Sequence, residues 1–173
     1  MNDTVMTVIA IFLAAVLMFG IPTILLAERQ DDIAQTKVTE VTATFTNDIA
    51  IKGKITQDDY NAFIDLLNAT GNTYDVEFEI QHLDTNPGKK VNISTRDQIG
   101  ENIYYSTYTN EVMDKLDKGQ DYLLKKGDNV IVTIKNTNRT IAEMFRNAIY
   151  QMTGKGTVQI STSQSALVLN TGR

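Results

Sequence analysis

The chain has 173 residues, a net charge of −5, no cysteine, no tryptophan and one histidine. That length holds one ordinary domain plus an anchor, and the acidic balance argues against a nucleic-acid binder, which presents a basic face. Without cysteine there is no disulfide, thiolate nucleophile or thiolate metal site, and a lone imidazole cannot build a histidine metal cluster.

Residues 5–27 read VMTVIAIFLAAVLMFGIPTILLA. About 23 uncharged residues at a rise of about 1.5 Å each suffice to cross a hydrocarbon core of roughly 30 Å. The start, MNDT, is acidic, and the apolar run is too long for a cleaved secretory signal, so the segment reads as a single transmembrane helix. Arg29, beside Glu28 and Asp31, is the only cation nearby, and the positive-inside signal is almost silent. Removal of a short basic leader before Met1 would explain that silence. Gly20 and Pro22 interrupt the run. Proline withdraws a backbone donor and crowds the preceding turn. Such a pair is either an incidental membrane kink or a helix built to soften locally.

Residues 28–52 contain neither Gly nor Pro, and Ala34, Val38, Val41, Phe45 and Ile49 recur at helical spacing. Gly53 then supplies a stop. One helix of roughly 70 Å is therefore predicted. It divides into an apolar membrane or filament-core part (1–27) and an amphipathic continuation (28–53). Any bend or melted turn is expected between Gly20 and Pro22. Val38, Val41, Phe45 and Ile49 are expected to pack against the rest of the chain.

Residues 54–173 read as a compact head, making the fold class α+β, with an antiparallel sheet and short helices. Thr56 is a candidate N-cap for a helix burying Tyr60, Phe63, Ile64 and Leu67 and closed by Gly71. TYDVEFEIQ alternates apolar and acidic residues, which predicts a strand with one core face and one acidic solvent face. NPGK predicts a type II turn into a second strand at 91–95, paired back as a hairpin. NIYYSTYT is strand or extended loop, NEVMDKLDKG a short helix ending at Gly119, and 129–135 a strand. Thr140 and Glu143 have capping-box spacing ahead of a stripe of Ile141, Met144, Phe145, Ala148, Ile149 and Met152. Gly154 and Gly156 end that helix, and 157–170 is a final strand region.

No catalytic, cofactor or metal site emerges, so the chain reads as a non-enzyme. His82 is placed at the end of the TYDVEFEIQ strand in its polar phase, as an exposed histidine. Asp31–Asp32 and Asp58–Asp59 read as solvated first-turn acids, since a hard-cation site needs about six oxygens from a shaped loop. Gly154 to Gly156 lacks the context of a phosphate loop. Ser161, Ser163 and Ser165 alternate on a strand without a base. Tyr104, Tyr105 and Tyr108 suit core or edge positions as well as a binding platform. Four glycan-acceptor triplets (NDT, NAT, NIS, NRT) match a pattern short enough to arise by chance.

An apolar N-terminal helix continuing into an amphipathic half and a helix-and-sheet head resembles the type IV pilin-like superfamily. Pro22 matches the proline such helices carry at comparable depth. The stretch GKITQDDYNAFIDLLNATGNTYDVEFEIQH is also similar to subunits of tight-adherence-type pili from Gram-positive bacteria. The resemblance implies a structural subunit of an extracellular helical filament of identical copies at the cell surface. Before assembly it would be held in the inner or cytoplasmic membrane by a single pass, then stacked by pilus assembly machinery. No nucleic acid or cofactor is required. Asp3, Ile9, Phe12, Leu13, Leu17, Gly20, Pro22 and Leu25 would form the assembly interface. The family's glutamate near the mature N-terminus is missing: Val5 occupies its neighbourhood, and Asp3 either replaces it or is an ordinary interfacial residue. The alternatives are a monomeric membrane-anchored extracytoplasmic binding domain and a non-filament scaffold of a secretion or conjugation machine.

Overall fold

The computed structural model describes residues 2–84, 104–144, 147 and 160–173. Helix α1 (Asn2–Lys52) runs unbroken for 51 residues, about 75 Å at the usual rise. The expected single helix through Gly20 and Pro22 is present, and no melted turn interrupts it. Six of its eight threonines share one device. Thr7, Thr23, Thr36, Thr39, Thr42 and Thr46 each donate their hydroxyl to the carbonyl four residues back, at 2.6–2.9 Å. Such back-bonding satisfies the hydroxyl within the helix, so Thr42 and Thr46 can lie fully buried beside the apolar stripe.

Gly53 ends α1 in the left-handed region with φ 73°, and its amide closes on the Ile49 carbonyl at 2.8 Å. A side chain there would strike the Asn170 carbonyl, and one on Gly172 would strike the carbonyl of Gly53. Two glycines thus let the end of α1 and the C-terminal tail cross backbone to backbone.

The head contains β1 (Lys54–Ile55), α2 (Gln57–Asn68), β2 (Tyr74–Leu83), β3 (Tyr104–Tyr108), α3 (Thr109–Asp117), β4 (Tyr122–Leu123), β5 (Asn129–Asn136) and β6 (Ser161–Leu167). A four-stranded antiparallel sheet has the order β3-β2-β5-β6, and β1 pairs with β4 in a small second ladder. The predicted turn at Asn86 to Lys89 and the strand at 91–95 lie outside the described residues.

Alternation along β2 and β5 sets the layers. Val76, Phe78, Ile80, Val130, Val132 and Ile134 are buried in one cluster with α1 to α3. The opposite face is polar and cross-linked: Lys135 Nζ meets Glu77 at 2.7 Å, Thr133 and Ser163 share a hydroxyl contact at 2.9 Å, and Asn129 donates to Gln81 at 3.1 Å. The acidic face expected from the β2 sequence is therefore partly neutralised from β5.

Ala34, Val38, Val41, Phe45 and Ile49 are all buried, as their spacing predicts. Phe45 stacks on Phe63 with ring centroids 4.1 Å apart and lies 6.2 Å from Phe78, joining α1, α2 and β2. Thr56 caps α2 by accepting from the Asp59 amide at 3.1 Å, and Phe63 and Leu67 are buried with Tyr60 and Ile64 packed alongside. Thr140 likewise accepts from the Glu143 amide at 3.1 Å. Beyond it Ala142 is buried, while Ile141 and Met144 of the expected stripe are exposed. Thr140 donates to Asp31 Oδ2 on α1 at 2.8 Å. Phe145, Ala148, Ile149 and Met152 lie outside the described side chains.

The last turn of α1 is pinned to the first turn of α2 by Lys52 Nζ and Asp59 Oδ1, 2.6 Å apart. The hydrogen bond to Asp59 holds the Lys52 ammonium above its ordinary range, against the opposing effect of burial. Burial pushes the Asp59 carboxyl up, but hydrogen bonds from Lys52 and Thr56 outweigh it and leave the group below its ordinary range. The Asp59 contribution is therefore present above the unfolded carboxyl value of about 4 and lost as pH falls through the lower folded value; the Lys52 contribution is present below about 10.4 and lost above it. Asp59→Asn is expected to flatten the acid limb of urea midpoints measured against pH, below about 4. Its cost at neutral pH should stay under about 1 kcal/mol, because Lys52 is half exposed and screened by solvent.

Candidate assembly surface on the N-terminal helix

The N-terminal half of α1 projects away from the head. Fourteen large apolar side chains between residues 5 and 26 are 51–73% exposed. They surround the helix, so no rotation would hide them, and contiguous apolar surface on this scale marks a membrane or protein contact. The most apolar window has a mean hydropathy of 2.7 and no buried residue. By length and composition this helix can cross a membrane.

Ile9, Phe12, Leu13, Leu17 and Leu25 all belong to this exposed surface. Pro22 is exposed and Gly20 partly so, with open space around the glycine. Asp3 is exposed in the first turn, and its carbonyl accepts the Thr7 hydroxyl at 2.8 Å. The eight candidate assembly residues all lie on α1, spread along about 33 Å of its length between Asp3 and Leu25. Val38, Val41, Phe45 and Ile49 form the opposite kind of surface, wholly internal.

The transition between the halves falls between Asp31 and Gln35. Gln35 pairs its side-chain amide with the backbone of Ser161, donating to the carbonyl at 2.9 Å and accepting from the N–H at 3.2 Å. This occupies the start of the β6 edge that is open among the described residues, where strand addition would otherwise begin. Further along, the Leu169 amide donates to the Ala50 carbonyl at 3.0 Å, and Asn170 donates to the Ile51 carbonyl at 2.8 Å. Glutamine at 35 and asparagine at 170 carry no pattern that announces these partners 126 and 119 residues away.

His82 is the clearest departure from expectation. It is buried, not exposed. It lies two residues beyond Ile80 and so shares the core phase of β2 with Val76 and Phe78; counting parity would have placed it correctly. Nδ1 lies 2.8 Å from Asp128 Oδ2, and Nε2 lies 3.2 Å from the hydroxyls of Thr107 and Tyr122. A carboxylate only accepts, which puts a proton on Nδ1 and turns Nε2 toward the hydroxyls. Burial pushes the Tyr122 phenol up, keeping it a hydroxyl. The Thr107–His82–Asp128 line has the order of a nucleophile, base and acid, but Thr107 and Asp128 are buried. It ties β2, β3, β4 and the 125–128 turn together.

Tyr104, Tyr105 and Tyr108 are exposed on β3, an edge strand among the described residues, with Tyr105 against the His82 ring at 5.0 Å. Ser161, Ser163 and Ser165 are exposed on β6. Among the described residues no group of three or more His, Cys, Asp or Glu is placed to hold a metal ion.

No family model, curated protein or solved structure matches this chain. Fold and surface together define an α+β head carried on a helix long and apolar enough to span a bilayer.

Proposed function

We propose that this protein is a pilin-like structural subunit, held in a membrane by α1 and then stacked with identical copies into an extracellular helical filament. The observation that carries this reading is the continuity of α1. The same helix that exposes apolar residues on all sides through Leu26 becomes the packed spine of the head from Ala34 onward. A tethered binding domain needs only an anchor and a linker; here no linker separates the two.

In the membrane, lipid covers the apolar half. In the filament, neighbouring helices replace lipid, and Ala10, Ala14, Ala15 and Gly20 allow close approach. Pro22 leaves the Met18 carbonyl without its helical donor, so bending is least costly there. Asp3 is the acid nearest the start, and an unpaired carboxylate among apolar helices is costly; pairing it across subunits would select the register. Head-to-tail contacts that never close produce an open filament. The partners are further copies, the membrane before assembly and the machinery that extracts subunits; no cofactor or nucleic acid enters.

Electron microscopy of material sheared from cells producing the protein should show filaments labelled along their length by an antibody to the head. Asp3→Ala should cut filament yield about tenfold, the equivalent of about 1.4 kcal/mol, with the urea midpoint of the head unchanged. Protein confined to membrane fractions, with no filaments, would refute the reading and favour the anchored monomer.

A further inference from the structure

We propose that the underside of the head, at residues 139–144, rests on the phospholipid surface while α1 spans the bilayer. This rests on α1 crossing a membrane and not on filament formation. Residue 27 ends the uncharged run, so the boundary between acyl chains and headgroups falls near Ala27 and Glu28. The head reaches back to that level. Thr140 is bonded to Asp31 Oδ2 at 2.8 Å, and a cleft of about 210 Å³ is lined by Ala27, Gln30 and Asp31 on one side and by Asn138, Arg139 and Ile141 on the other. Asp31 lies only four residues, or about 6 Å, beyond Ala27 along the axis.

At this cleft the head exposes Ile141 at 58% and Arg139 beside it, and Met144, three residues further on, is 52% exposed. Ala142 is turned inward and the larger Ile141 outward, an arrangement that exposes apolar surface to water. Beside a bilayer the same arrangement is favourable: apolar groups enter the headgroup boundary to a depth of roughly 5–10 Å while the polar cleft meets the headgroups. Arg139 is suited to a phosphate oxygen, which guanidinium binds in bidentate geometry. The surface continues the lipid-facing side of α1, and that continuity identifies lipid as its occupant.

The cysteine-free sequence permits a clean test. Full-length Ile141→Cys, Met144→Cys and Lys126→Cys variants are labelled with an environment-sensitive fluorophore and reconstituted into phosphatidylcholine–phosphatidylglycerol vesicles. Lys126 is exposed and sits in the turn bonded through Thr171 to the tail that crosses Gly53. That end of α1 is about 39 Å from Ala27. Brominated acyl chains should dim the labels at 141 and 144 by roughly half, as expected for groups at the acyl boundary, and leave the label at 126 unchanged. Equal emission at all three positions would overturn the proposal. So would dimming that tracks protein density rather than bromine, which would assign the surface to a second copy. Failure of the unlabelled chain to float with vesicles would overturn it together with the membrane reading, whereas floating protein that forms no filaments would leave it standing.

Discussion

Phe45→Ala is expected to destabilise the head by about 3–5 kcal/mol, the usual cost of removing a buried phenylalanine. The ring is 8% exposed, stacked on Phe63 and tilted against Phe78. Its loss opens a void where three elements meet, and rigid sheet and helix backbones cannot collapse to fill it. A domain of this size has about 5–15 kcal/mol of stability in total, so the variant should unfold at a markedly lower urea concentration. Tyrosine fluorescence of the detergent-solubilised full chain would report it. Leu13→Ala, at a side chain 57% exposed on the same helix, should leave that midpoint in place. Equal losses from both variants would mean that the two halves of α1 are not divided between head packing and an exposed surface.

His82→Ala is expected to cost about 2–4 kcal/mol, mainly through what it strands. Asp128 is 2% exposed. Its carboxylate would keep the Lys125 amide, at 2.8 Å from Oδ2, and lose the imidazole. The hydroxyls of Thr107 and Tyr122 would also lose their contact with Nε2. The double variant His82→Ala/Asp128→Ala should cost less than the sum of the two singles, by about 1–3 kcal/mol, because each single change already breaks the shared contact. Strict additivity would show that the two side chains act independently. The β3–α3–β4 region should lose cooperativity first, since these contacts hold it to the central sheet.

Several features were legible because they repeat at a local period. The apolar run through residue 27, the stripe from Ala34 to Ile49, the alternation of β2 and the caps at Thr56 and Thr140 depend on residues three, four or two positions apart. Physical chemistry at that range needs no tertiary knowledge. The exposed apolar surface of α1 was legible for the same reason: Ile9, Phe12, Leu13, Leu17 and Leu25 stand in a charge-free run, and the folded chain leaves them uncovered.

Local pattern therefore suffices to divide one helix into an apolar half and an amphipathic half, and to mark the residues after it as α+β. Everything else depends on contacts between residues far apart in the chain. Strand order placed β5 between β2 and β6, so that Lys135 meets Glu77 and α1 runs beside β6. Thr140 bonds to Asp31, 109 residues away, and Ile141 beside it stays outside the core. Strand parity accounts for the burial of His82, but its stability depends on Asp128, Thr107 and Tyr122 arriving from three other segments. A buried polar group is tolerated only where partners converge, and convergence belongs to the fold rather than to any stretch of sequence.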